Sequence, residues 1–258
     1  MNSRLLKRFF KEEDKARICC LDEHFLDQLR IFITSDTHGH CEELISLLEE
    51  CHFDPDDART GMIYLGDFVD RGKDEEGVFL KLCSLREKMG SSRMFWLMGN
   101  HEKDLIEKKN DFPMQLTDHQ MLLAEQIENL NLPHVIHIGN TIMCHAAYQD
   151  SDDREADYYL NNRDVHLGRR NPSENHLVIT GHTPVSFIRM NRGQFPQEYT
   201  PLYIDPTGNV KSIPEETDVP LPGNGMIVID CGAGNNEYVC CLEIQSGMMR
   251  VHMKKTVK

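Results

Sequence analysis

Five apolar runs of β character each stop at a short polar cluster. Arg30–Thr34 (RIFIT) leads into Ser35-Asp36-Thr37-His38-Gly39-His40. Residues 62–65 (MIYL) stop at Gly66-Asp67, and residues 94–98 (MFWLM) at Gly99-Asn100-His101-Glu102. Thr141–Cys144 ends at His145, and Leu177–Thr180 at Gly181-His182. Between these runs the period changes to that of a helix. Leu44, Ile45, Leu47 and Leu48 recur at helical spacing through Cys51, and Val78, Phe79, Leu82 and Leu85 share one face of a helix over Glu75–Met89. A further helix is expected over 118–129. Val135–Ile138 and Thr141–Cys144 flank Gly139-Asn140 as a hairpin-like pair. Residues 190–225, rich in Pro and Gly with one weak strand near Leu202–Ile204, read as a long surface excursion. Strands over 226–229, 238–244 and 249–253 close the chain. The alternation predicts an α/β domain over residues 29–258. Residues 1–28, charged and helix-tending, are expected to form an N-terminal helical extension.

The chain of 258 residues is long enough for one sizeable core. A hydrophobic share of 40% and a charged share of 27% are those of a soluble globule. The net charge of −14 argues against a general binder of nucleic acid or anionic membranes, which needs a basic excess. It does not exclude a phosphorylated substrate, because bound metal ions would make one cleft locally positive. The nine cysteines include no C-x-x-C pair, so neither a disulfide framework nor a zinc ribbon is indicated, and a reducing compartment is the simplest home. The basic start (Arg4, Lys7, Arg8) is followed only by Phe9-Phe10 before charges resume, which leaves no signal-peptide core. No apolar run approaches the roughly 18–20 residues that span a bilayer. A cytoplasmic protein is expected.

In α/β sheets ligands bind at the carboxyl ends of strands, so five polar clusters at such ends can converge on one site. Asp36 and His38, two residues apart, project to the same side, as two ligands of one metal would. In Gly66-Asp67-Phe68-Val69-Asp70-Arg71-Gly72, an Asp just after a strand can bridge two cations. Asp70 can then orient a histidine, and Arg71 can grip phosphate bidentately. Asn100 offers a hard amide oxygen, and the adjacent His101 a proton for a leaving alkoxide. Taken singly, His145 and His182 read as satisfied core or loop histidines. In this order with the other clusters, they read as ligands.

These strings, above all GDFVDRG, GNHE and GHTPV, resemble the phosphoprotein phosphatases, the superfamily of the serine/threonine protein phosphatases and the phage-lambda-type phosphatases. The resemblance runs from about Arg30 to Ile244. It implies a calcineurin-like metallophosphoesterase fold: two mixed β-sheets forming a central sandwich flanked by helices, with the metal site at the carboxyl ends of strands. It also implies two divalent ions, manganese foremost and iron or zinc as alternatives. The first ion would take Asp36, His38 and the bridging Asp67, and the second Asp67, Asn100, His145 and His182. Many metallophosphoesterases carry G-H-x-H, but here Pro184 stands at the last place and cannot bind a metal. The symmetrical dinucleotide tetraphosphatases typically have Trp after this Gly-His, so Thr183-Pro184 leans toward the protein-phosphatase branch.

The chain departs from the family pattern at Ser35, where Gly is usual, and at Gly234-Asn235-Asn236-Glu237, which lacks the usual glycine pair. A second phosphate-gripping arginine is expected between the last two metal histidines. Arg163 fits best by position, and Arg169 and Arg170 compete with it. The resemblance implies hydrolysis of phosphomonoesters, with phosphoserine and phosphothreonine in proteins as the leading substrates, by in-line attack of a hydroxide shared by the two metals. Arg71 and Arg163 would hold the phosphoryl group, Asn100 would also touch it, and His101, oriented by Asp70, would protonate the leaving oxygen. The alternative is a nucleotide or diadenosine polyphosphate hydrolase on the same metal core. The partner is then a phosphorylated protein or a small phosphate ester.

Overall fold

The apolar runs are continuous rather than alternating because their strands are buried on both faces, as strands between two layers must be. A computed structural model describes residues 6–9, 16–148, 155–194 and 198–257. Its strands are β1 (Leu6–Phe9), β2 (Ile18–Leu21), β3 (Arg30–Thr34), β4 (Thr60–Tyr64), β5 (Met94–Trp96), β6 (Val135–Ile138), β7 (Thr141–Cys144), β8 (Leu177–Thr180), β9 (Leu202–Ile204), β10 (Val210–Ser212), β11 (Val219–Pro220), β12 (Gly225–Val228), β13 (Tyr238–Gln245) and β14 (Met248–Lys255). Its α-helices are α1 (Phe25–Gln28), α2 (Cys41–Glu50), α3 (Glu75–Met89), α4 (Asn100–Asp111), α5 (Asp118–Leu130), α6 (Ala156–Asn161) and α7 (Val185–Asn191).

The strands form two sheets, one of order β1-β2-β6-β7-β8-β12-β9-β10 and one of order β11-β14-β13-β3-β4-β5. Both are mixed. β3, β4 and β5 run parallel, as do β7, β8 and β12, while β13 joins β3 antiparallel. Residue parity decides which layer each side chain fills. Ile31, Ile33 and Ile63 meet Ile136, Ile138, Met143, Ile179 and Ile227 in the core between the sheets. Phe32, Met62, Tyr64 and Trp96 turn the other way, onto Leu44 and Leu47 of α2, Val78 and Leu82 of α3, and Leu123 of α5. Val135, Ile142, Val178 and Val228 face outward beneath Tyr159, Val185 and Ile188. The expected sandwich flanked by helices is therefore present, with parallel strands of both sheets delivering their carboxyl ends to one region.

The described part of residues 1–28, that is 6–9 and 16–28, departs from the expected helical extension. Among these described residues only Phe25–Gln28 is helical; β1 pairs antiparallel with β2, and β2 adds in parallel to β6. The physical reason is period: Cys19 and Leu21 are buried in the inter-sheet core while Cys20 is exposed, so every second side chain of ICCL is covered. That alternation suits a half-buried strand and outweighs the helix propensity of the charged flanks. The 190–225 segment is also more structured than an excursion. Leu202 and Ile204 are fully buried, and β9 pairs with both β12 and β10, while Pro220 lies in the edge strand β11, where a missing N–H is tolerated. Residues 195–197 lie outside the described part.

Candidate active site

Tight turns follow β3, β4 and β8, and they place six non-glycine residues in the left-handed region: Asp36 (φ 51°), His38 (44°), Asp67 (60°), Asp70 (70°), Arg71 (74°) and His182 (68°). Such residues cost conformational energy and persist only where surrounding bonds over-determine them. Those bonds are present. The N–H of Asp36 donates to Gly66 O at 2.9 Å, that of His38 to Asp67 O at 3.1 Å, and that of Gly39 to Phe68 O at 2.9 Å. Glu102, fully buried at the start of α4, accepts from the backbone N–H groups of Asp67 (2.8 Å), Phe68 (2.8 Å), Val69 (3.2 Å) and Gly99 (2.9 Å). This carboxylate ties the turn after β4 to the turn after β5. Sequence reasoning gave Glu102 no role, although an acid at the third position of a helix after a glycine is a capping signal.

Asp67 is the point of convergence. Its Oδ2 lies 3.3 Å from His145 Nε2 and 3.8 Å from both His38 Nε2 and His101 Nε2. Asn100 Oδ1 lies 3.0 Å from His145 Nε2 and 2.9 Å from His182 Nδ1, and those two nitrogens are 3.3 Å apart. Two groups of donor atoms could each hold a metal ion: His38, Asp67 and His101, and Asp67, His145 and His182. The second group, with Asn100 against two of its members, has the composition expected for the second ion. The first differs from expectation by having His101 as its third close donor in place of Asp36. Asp36 reaches the floor of the site, but both its oxygens accept the His182 backbone N–H at 3.0 Å, and Ser35 donates its hydroxyl to one of them.

The donor set suits divalent cations. His38 and His145 each set Nδ1 against a backbone carbonyl at 2.9 Å, Val69 O and Leu65 O respectively, which fixes the proton there and turns Nε2 inward. Burial pushes Asp67 up, but the charges of His145, His38 and His101 outweigh it and hold the carboxyl well below the usual range. Burial likewise lowers His145, yet Asp67 overcomes it and raises the ring to about 10. The negative charge that draws a proton onto that nitrogen would equally draw a cation. Burial holds His38 down to about 4 and, with the charges of His145 and Arg163, His182 down to about 2, so both rings are neutral donors at physiological pH.

A cavity opens directly above these atoms, lined among others by His38, Asp67, Arg71, Asn100, His101, Arg163 and His182. His101 Nδ1 lies 2.9 Å from Asp70 Oδ2, and Arg71 Nη2 lies 3.4 Å from His101 Nε2. Of the three competing arginines, Arg163 lines the cavity and donates Nε to His182 Nε2 at 2.8 Å. Arg169 and Arg170 instead flank Asp164, at 3.6 and 3.7 Å. Asp230, after β12, also lines the cavity, and burial pushes its carboxyl up to about 7. The sequence alone assigns Asp230 no place in the site, which depends on β12 lying beside β8.

This fold and this convergence of carboxylate, imidazole and carboxamide define a class: the chain belongs to the calcineurin-like phosphoesterases, whose profile matches residues 29–212. Serine/threonine-protein phosphatase 1 of Salmonella typhimurium (strain LT2) is 34% identical over 79 residues, which is 31% of this chain and 32% of that protein, so the match spans about a third of the relative's length. Among solved structures, a putative diadenosine tetraphosphatase superposes with a TM-score of 0.60 at 19% identity, covering 93% of this chain and 98% of that one. A protein serine/threonine phosphatase from Saccharomyces cerevisiae, with similarity to human phosphatase PP5, gives 0.59 at 13% identity, covering 95% and 85%. These two likenesses share the fold. No helix among the described residues is long and apolar enough to cross a membrane.

Proposed function

We propose that the protein is a dinuclear-metal phosphatase of phosphomonoesters, with phosphoserine and phosphothreonine in proteins as its substrates. The observation that carries this reading is the cavity itself, where a proton-donor pair and two arginines border the metal-ligand set. Asp67, Asn100, His145 and His182 would hold one ion, and Asp36, His38 and Asp67 the other. When bound, two divalent ions, manganese in this reading, supply an ionised water near neutral pH and positive charge against the phosphoryl oxygens. The chain's own groups supply the rest. Arg71 and Arg163 orient the phosphoryl group and stabilise its charge in the transition state. With His182 as a ligand through Nδ1, the ring's proton would sit on Nε2, and Arg163, which donates to that nitrogen, would instead be free to face the cavity it lines. His101 delivers a proton to the leaving oxygen, and Asp70, at 2.9 Å from Nδ1, holds the ring in orientation.

One observation favours the alternative, a nucleotide or diadenosine polyphosphate hydrolase. Phe187, 37% exposed, stands on the cavity wall and offers a ring on which a base could stack. Metal-free protein reconstituted with manganese separates the two readings on a panel of phosphopeptides and diadenosine tetraphosphate. Higher kcat/KM on phosphopeptides supports the protein-phosphatase reading. Turnover of the dinucleotide alone transfers the assignment to the alternative.

A further inference from the structure

Arg163 reaches the cavity from a turn, not from a strand or a helix. Residues 163–168 lie between α6 and β8. The turn is closed by the N–H of Leu167, which donates to Arg163 O at 2.9 Å, and by that of Gly168, which donates to Val165 O at 3.1 Å. An arginine side chain is long and rich in rotamers, so its guanidinium can hold a phosphoryl group in place only if its backbone is fixed. Two hydrogen bonds inside an exposed turn do not fix it against the rest of the molecule.

Two side chains do. The ring of His166 is fully buried between Thr183 Oγ1 at 2.7 Å and Thr180 Oγ1 at 3.2 Å, the two threonines that bracket Gly181-His182. Arg192, the C-cap residue of α7, holds the same turn by its backbone. Its Nη2 donates to Val165 O at 2.6 Å and its Nε to His166 O at 3.1 Å. Its Nη1 donates to Gly208 O at 2.9 Å, in the turn between β9 and β10. Carbonyls from two segments thus meet one planar cation, a geometry that the compact ammonium of a lysine does not match. Arg169 and Arg170 are nearer in the chain, but both are exposed and flank only Asp164, and exposed ion pairs constrain little.

We propose that Arg192 is a positioning residue for Arg163, clamping the 163–168 turn so that the Arg163 guanidinium meets the phosphoryl group in the cavity. The inference rests on the phosphate grip assigned to Arg163 under the proposed function. Arg192 does not itself line the cavity, so its influence on substrate passes through the turn. Val165 and His166, whose carbonyls it holds, follow Arg163 by two and three residues. A shift of the turn on the order of 1 Å would carry the guanidinium off the phosphoryl oxygens, and misplacements of that size are costly at a reacting centre.

The test is a double-mutant cycle on the manganese-loaded full chain, read as kcat/KM on p-nitrophenyl phosphate and as Kd for inorganic phosphate by titration calorimetry. Arg163→Ala is expected to cost about 10²-fold in kcat/KM. Arg192→Gln is expected to cost about tenfold in both readouts, and Arg169→Gln, on an exposed arginine beside the same turn, less than about twofold. In the Arg163→Ala background, Arg192→Gln should cost less than about twofold, because the side chain it positions is gone. A full loss of about tenfold there overturns the proposal, since a role in general stability does not depend on Arg163. That outcome leaves the phosphate grip of Arg163 standing, whereas an Arg163→Ala silent in both readouts removes the grip and the inference together. If Arg192→Gln does not fold, Arg192→Lys, which keeps the charge and loses the fork, enters the same cycle with the same deciding outcomes.

Discussion

At the scale of single residues, His101 carries the most specific chemical expectation. Its ring borders Asp67 and Arg71 and is held by Asp70, so its effect depends on how much the leaving group needs a proton. His101→Asn is expected to lower kcat about 10²–10⁴-fold on alkyl phosphates and far less on p-nitrophenyl phosphate, whose leaving group departs without a proton. Equal losses on the two substrates would remove His101 from the acid role. His166 makes a different kind of prediction. It is fully buried between Thr183 Oγ1 (2.7 Å) and Thr180 Oγ1 (3.2 Å), and burial, then the charges of Arg163 and Arg192, hold its ring down to about 3. Between its ordinary value of 6.5 and that figure, the unfolded chain binds a proton that the folded chain refuses. Its contribution is therefore complete above pH 6.5 and is lost as pH falls through that window. Going from neutral pH to about pH 5, denaturant unfolding should show about 2 kcal/mol more loss for the unaltered protein than for His166→Gln, and equal slopes would refute it.

At the scale of elements, the turn between β12 and β13 leans over the centre. A Cβ on Gly234 would lie 2.7 Å from His38 Cδ2 and 3.0 Å from Arg71 Cδ, so this glycine is needed for close approach. Gly234→Ala should displace both side chains and lower kcat/KM about 10–100-fold, since small misplacements at a reacting centre are costly. Thermal stability should shift by only a few degrees, because the turn lies at the cavity rim. An unchanged kcat/KM would show that the rim gives way.

Elements also show where legibility ended. The clusters after β3, β4, β5, β7 and β8 could be read because each is a short string whose apolar strand and polar tip lie next to one another in the chain. The helix over Glu75–Met89 was equally plain, with Asp74 capping it through Gly77 N at 2.8 Å. What could not be read depends on partners distant in sequence. β2 exists because β6 offers an edge 117 positions away to which Ile18–Leu21 can add. The orientation of Asp36 is set by the His182 N–H, 146 positions on. Asp230 enters the site through the placement of β12 beside β8, which no local pattern encodes.

At the scale of the whole molecule, the centre couples ion binding to folding. Any cation held by the folded arrangement and not by the unfolded chain raises stability, by about 2.7 kcal/mol when its concentration is a hundredfold above Kd. Calorimetry should therefore show a Tm that rises with added manganese, falls back with chelator, and no longer responds in Asp67→Asn. A manganese response surviving in Asp67→Asn would place the binding elsewhere. The excess of acidic residues makes that control necessary, because a surface of net charge −14 attracts divalent ions without a site.

The hydrogen bond from His182 to Asp36 has one last consequence. Asp36 follows a strand of the six-stranded sheet and His182 a strand of the eight-stranded sheet, so the catalytic apparatus is assembled across a seam rather than carried by either half. A fragment truncated before β6 would keep Asp36, Asp67 and Asn100 yet lack both of the later histidines. Turnover in this architecture therefore reports the alignment of the two halves: a change that lets them slide past one another, even far from the cavity, should silence the enzyme before it unfolds the chain.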